Sequence, residues 1–165
     1  MKKTLAAIAL ALVTAHAAAD DQLLNGFNIA WQKDGQTLVA STHYFTDPSG
    51  RLIPFAMTNG QSVGYATCTV NGPTTTLTSN QRTVGRALSL SPDSDADGAL
   101  SLTIEAEDTV LVGIKEVENG PCKSQVVEAR GMPLTRVTAK LARKGTTVVP
   151  FPGGHYELRF TALDQ

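Results

Sequence analysis

Asp93, Asp95 and Asp97, followed by Gly98, place hard oxygen ligands at alternate positions ahead of a residue that tolerates a sharp bend. Carboxylates in that spacing can wrap a calcium ion, and the pattern opens the loop of a helix–loop–helix site. The match then fails. Counted from Asp93, the position that should supply a bidentate Glu is Ile104, and Glu105 comes one residue late. Ile104 also belongs to an alternating apolar series that reads as a strand. The calcium reading therefore reduces to a β-turn in which Asp93, Asp95, Asp97 and the Ala99 carbonyl hold the ion, and calcium is the one cofactor considered. The plainer expectation is a solvated turn, because Asp and Gly are ordinary turn residues.

Gly60-Gln61-Ser62-Val63-Gly64 matches G-x-S-x-G, in which a strand-to-helix turn exposes a nucleophilic serine. Asp93 or Asp108 and then His155 would complete the order Ser, Asp, His. The context opposes it, since Val63 to Val70 reads as a strand where a helix is required. An ordinary turn between Met57 and Val63 is the expectation, and no residue is assigned a catalytic role. His43 and His155 lack a second metal ligand at diagnostic spacing and read as strand-end surface histidines.

Cys68 and Cys122 are the only cysteines, and neither lies in a C-x-x-C motif. A disulfide between them is expected, since the start of the chain reads as an export signal. Lys2 and Lys3 precede an apolar run from Leu5 to Ala15 that is too short to span a bilayer, and Ala17 and Ala19 give a cleavable A-x-A pattern. Residues 1–19 are thus expected to be a signal peptide of bacterial type, leaving 20–165 as one all-β domain in a periplasmic or secreted location. No later run suits a transmembrane helix.

Positioning any of these residues falls to strands. Phe27, Ile29 and Trp31 alternate with polar residues up to the turn signal Lys33-Asp34-Gly35-Gln36, and Tyr156, Leu158, Phe160 and Ala162 do the same at the other end. Leu88 and Leu90 against Leu100, Leu102, Ile104 and Ala106 predict a half-buried hairpin across the acidic turn. Asn59-Gly60, Asn71-Gly72-Pro73, Asn119-Gly120-Pro121 and Gly131-Met132-Pro133 punctuate the rest. Thr74 to Thr78 reads as a polar edge strand or a loop, and Arg136 to Arg143 as a strand in preference to a helix. Nine or ten short strands with almost no amphipathic helix argue for a single antiparallel β-sandwich, Ig-like or similar, with a small β-barrel as the alternative.

Charge narrows the function classes. The 14 Lys and Arg stand against 15 Asp and Glu, two of the lysines lie in the signal peptide, and no basic surface for nucleic acid emerges. Acidic residues concentrate between Val84 and Cys122 and basic ones between Lys123 and Phe160, as expected of neighbouring strands that neutralise each other. The expected role is non-enzymatic, a binding or assembly module of the bacterial envelope, such as an inhibitor or immunity-type protein, whose partner is another envelope protein. A pilus-like or surface-fibre subunit and a small serine hydrolase centred on Ser62 are the alternatives.

Overall fold

The computed structural model describes residues 26–94, 100–120 and 122–163. Residues 1–19, expected from sequence to be a signal peptide, and Asp95, Asp97 and Gly98 lie outside the described residues. Eight strands occur among those described: β1 (Gly26–Lys33), β2 (Gln36–Tyr44), β3 (Phe55–Asn71), β4 (Thr74–Ser94), β5 (Leu100–Asn119), β6 (Cys122–Leu141), β7 (Thr146–Pro150) and β8 (Tyr156–Ala162). They form two four-stranded sheets, ordered β2-β1-β8-β7 and β3-β4-β5-β6, in which every neighbouring pair is antiparallel wherever register is defined.

The packing follows from period-two alternation. Ile29 pairs with Phe160 and Trp31 with Leu158, so alternate side chains of β1 and β8 enter the same layer. Leu88, Leu90, Leu102, Ile104 and Ala106 fill the facing layer from β4 and β5, and all ten of the residues Ile29, Trp31, Leu88, Leu90, Leu102, Ile104, Ala106, Phe45, Leu158 and Phe160 are at most 2% exposed. Two sheets sharing one apolar core make a β-sandwich. Burying each large side chain contributes about 1.5–3 kcal/mol, so this layer dominates the stability of the body. At the β1–β2 turn Asp34 and Gly35 both take positive φ, 48° and 79°, as a two-residue type I′ hairpin demands.

The acidic and basic halves do lie side by side. Glu105 is opposite Arg136, whose Nε donates to Glu105 Oε1 at 2.9 Å, and Lys123 lies 3.5 Å from Glu118 at the far end.

Strand length departs from expectation. Asn59-Gly60 does not turn the chain, and Gly131-Met132-Pro133 does not end a strand: β3 and β6 run through both, at 17 and 20 residues. Thr74–Thr78 opens β4, and Arg136 to Leu141 completes β6 as a strand. The glycines bend the strands. Gly60 pairs with Gly85, and a Cβ on Gly85 would lie 2.6 Å from the Asn59 carbonyl oxygen. Gly131 has φ 121°, and a Cβ there would collide with the Asp108 carbonyl oxygen. Gly131→Ala is expected to cost about 2–3 kcal/mol, since positive-φ strain alone costs about 1–3 kcal/mol. Urea unfolding should show the loss as a lower midpoint, while Gly113→Ala, where added carbon meets open space, should shift it far less.

Candidate functional site

The bends divide the second sheet in two. β4 and β5 pair from Ser94↔Leu100 down to Arg86↔Asp108, and no pairing between them continues past that point. Beyond it the β3–β4 and β5–β6 hairpins carry on as a two-hairpin arm. At the fork the buried Thr109 takes over from the ladder: its Oγ1 accepts from Gly85 N at 3.2 Å and donates to Glu107 Oε1 at 3.1 Å.

Within the arm the outer strands of the sheet come together. Ser124 Oγ accepts from Cys68 N at 2.9 Å, Gln125 Oε1 accepts from Ala66 N at 3.0 Å, and Cys68 and Cys122 form a disulfide with Cα atoms 5.9 Å apart. The side chains of β6 thus satisfy backbone groups of β3 where no ladder forms between the two strands. A small second core, Val63, Val84 and Val127 with Tyr65, Leu111 and Ala129 against it, fills the space between the hairpins. A buried disulfide of this kind suggests an oxidising, extracytoplasmic environment.

The arm is anchored by charge. Arg86 Nε donates to Asp108 Oδ1 at 3.1 Å, and Tyr156 Oη donates to Asp108 Oδ2 at 3.0 Å, so one carboxylate ties both sheets. The Arg86 guanidinium also lies 6.0 Å from the Trp31 ring centroid and donates to the Leu38 carbonyl. Lys33 sits over the Tyr156 ring at 5.1 Å, and its contact with the Tyr156 hydroxyl raises its pKa above the ordinary lysine value.

The arm leaves much of its aliphatic surface uncovered. Val110 is 70% exposed and Leu77 68%, and Val70, Val112, Ile114, Val117 and Val126 are exposed as well. Single exposed aliphatics are common on proteins, but seven on one stapled projection form a candidate docking surface.

A cleft of about 510 Å³ lies at the base of the arm between the β1–β2 turn and β6. Lys33, Asp34, Met132, Pro133, His155 and Tyr156 contribute to its wall. His155 Nδ1 is 2.9 Å from Asp34 Oδ1, and Asp34 N donates to the His155 carbonyl, so both groups brace the turns that carry them.

No family model, curated protein or solved structure matches this chain.

The residues singled out from sequence are scattered. Ser62 lies inside β3, and its hydroxyl donates to Gln81 Oε1 at 3.2 Å. No turn surrounds it, contrary to expectation, because Gly60 and Gly64 continue the strand. His155 precedes β8 of the other sheet, with Asp34, and Asp108 is held by Arg86 and Tyr156, so Ser62, Asp108 and His155 are not assembled. Asp93 is exposed on β4. Among the described residues no group of three or more His, Cys, Asp and Glu side chains could hold a metal. His43 is half-buried on β2, its ring 4.9 Å from Phe45 and 5.3 Å from Phe55, with Nε2 3.2 Å from the Ile53 carbonyl. Of the described residues, Cys68 and Cys122 are brought together as foreseen. Arg86, Lys33 and Asp34 carried no signal as site residues, since their roles arise from contacts between distant segments.

Proposed function

We propose that this chain is a non-enzymatic binding and assembly module of the bacterial envelope, periplasmic or secreted, which engages another envelope protein through its arm. One observation carries the reading: a disulfide-stapled pair of hairpins presents Leu77, Val110, Val112, Ile114 and Val126 to solvent on rigid strands. Binding by such a surface needs no catalytic constellation. The sandwich body holds the arm in place through Arg86, Asp108 and Tyr156, and the staple limits the entropy lost when a partner docks. An inhibitor or immunity-type protein is one form that such a module takes.

Photo-crosslinking in intact cells tests the reading. A crosslinking residue at Leu77 or Val126 is expected to capture a discrete envelope protein, whereas one at Val148, exposed on β7 of the body, is not. Equal capture from all three positions, or none from the arm, overturns it.

A further inference from the structure

The two sheets end at different levels. The β2-β1-β8-β7 sheet stops at its turns over Asp108 and Met132, where Tyr156 Oη donates to Asp108 Oδ2 and the cleft opens between Lys33, Pro152 and His155 on one side and Met132 and Pro133 on the other. The β5–β6 ladder runs on past that rim. Asp108 pairs with Met132, Thr109 with Gly131 and Val110 with Arg130 in unbroken register. Thr109 turns its hydroxyl to Gly85 N, so its neighbours Asp108 and Val110 share the opposite face, the one that the other sheet covers in the body. Past the rim that face is bare. Met132 is 6% exposed, whereas Val110, one step of the same face farther out, is 70%.

Met132, Pro133, Pro152 and the Tyr156 ring give the cleft apolar walls, and its volume of about 510 Å³ falls in the range of ligand pockets, about 300–1,000 Å³. Lys33 brings an ammonium to the same wall, 5.1 Å from the Tyr156 ring centroid, and Arg130 lies on the bare face about 7 Å along β6 from Met132. Neither cation forms an ion pair among the described residues. Of the carboxylates nearby, Asp34 is held by His155 Nδ1, Asp108 by Arg86 and Tyr156, and Glu128 lies two residues farther out than Arg130. The site thus suits an anionic group on an apolar body. A chain laid along the bare face toward the body meets the Tyr156 rim and cannot pass, because the core behind is closed, with Trp31 and Leu158 at 0% exposure. Such a chain has to end in the cleft, and an amino terminus there would set its charge against Lys33. We propose that the cleft binds the C-terminal residue of an extended segment of the protein that docks on the arm. Its carboxylate meets the Lys33 ammonium, its apolar side chain packs on Met132, Pro133, Pro152 and Tyr156, and the side chain two residues earlier packs on Val110. Alternate side chains of an extended chain point to one face, which is what this placement needs. The inference deepens the reading of the arm as the binding element and rests on it.

Fluorescence polarisation of the oxidised protein with an N-terminally labelled hexapeptide, Gly-Ser-Gly-Val-Ser-Phe with a free carboxylate, tests it. Half-saturation is expected below about 1 mM. Amidating the peptide's terminus and Lys33→Gln are each expected to weaken binding about tenfold or more, since each removes one partner of a charge-assisted contact. Lys33→Arg keeps the charge and is expected to weaken it by about threefold or less. Val110→Ser is expected to weaken the peptide by about threefold or more and to leave 3-phenylpropanoate, an apolar acid with no preceding residues, unchanged. Circular dichroism matching the native chain shows that each variant is folded. No binding at 1 mM, an amidated peptide that binds equally, or Lys33→Gln protein that binds equally overturns the proposal. So does 3-phenylpropanoate binding as tightly as the peptide, which would make the cleft a site for small acids. If the peptide fails while crosslinks from Leu77 and Val126 persist, the cleft proposal falls and the reading of the arm as a docking element stands.

Discussion

Replacing Cys68 and Cys122 together with serine is expected to lower the stability of the domain by about 4 kcal/mol. The two residues are 54 apart in sequence, and closing a loop of that length in the unfolded chain removes conformational entropy of roughly this size. Cα atoms 5.9 Å apart lie within the usual span of a disulfide, so little native distortion offsets the gain. The loss should not be uniform. The body keeps its core of Trp31, Phe45, Leu88, Ile104, Leu158 and Phe160, whereas the arm keeps the smaller Val63, Val84 and Val127 cluster with its flanking side chains and the side-chain bonds of Arg82, Ser124 and Gln125. Amide hydrogen exchange is the measurement that separates the two. Protection should fall first in 61–84 and 110–130 and persist in β1, β8 and residues 100–106. Uniform loss across both regions would show that arm and body unfold as one unit.

Asp108→Ala is expected to cost about 3 kcal/mol. Its carboxylate is mostly enclosed, with 13% of the side chain exposed, and it accepts from Arg86 on one oxygen and Tyr156 on the other. Removing it strands a partly buried guanidinium and a tyrosine hydroxyl, and breaking a buried ion pair from one side costs about 3–5 kcal/mol. The figure here is set at the low end because Arg86 retains 29% exposure and can recruit water. Asp108→Asn keeps an acceptor for Tyr156 and should cost clearly less. Chemical denaturation of the three proteins checks the order, native above Asn above Ala. An alanine variant as stable as the native protein would remove the carboxylate from its place as the tie between sheets.

The body was legible in the sequence, as were the turns and the disulfide of the arm, but the continuity of strands from body into arm was not, for a physical reason. Strict alternation in Phe27-Ile29-Trp31 and Tyr156-Leu158-Phe160, the Asp34-Gly35 turn and the Leu100 to Ala106 series each state their structure locally. Gly60 and Gly131 do not, because a glycine that ends a strand and one that bends it look alike until its opposite residue is known. Here those opposites are Gly85 and Thr109, whose pairing is non-local. The valines of β5 carry the same ambiguity. Leu102 and Val110 belong to one apolar-rich strand, yet one is 1% exposed and the other 70%, because only the first lies beneath the β2-β1-β8-β7 sheet. The Asp108 tie escaped notice because its two partners are 22 and 48 residues away.

The staple also changes the connectivity of the molecule. Cys68 and Cys122 sit on β3 and β6, the two ends of the sheet order, so the chain between them, including the whole β4–β5 pairing, belongs to a covalent ring. One proteolytic cut anywhere in that ring leaves a single molecule with its eight strands still attached. A protease therefore has to cut twice within the ring, or reach the chain outside it, before any fragment departs.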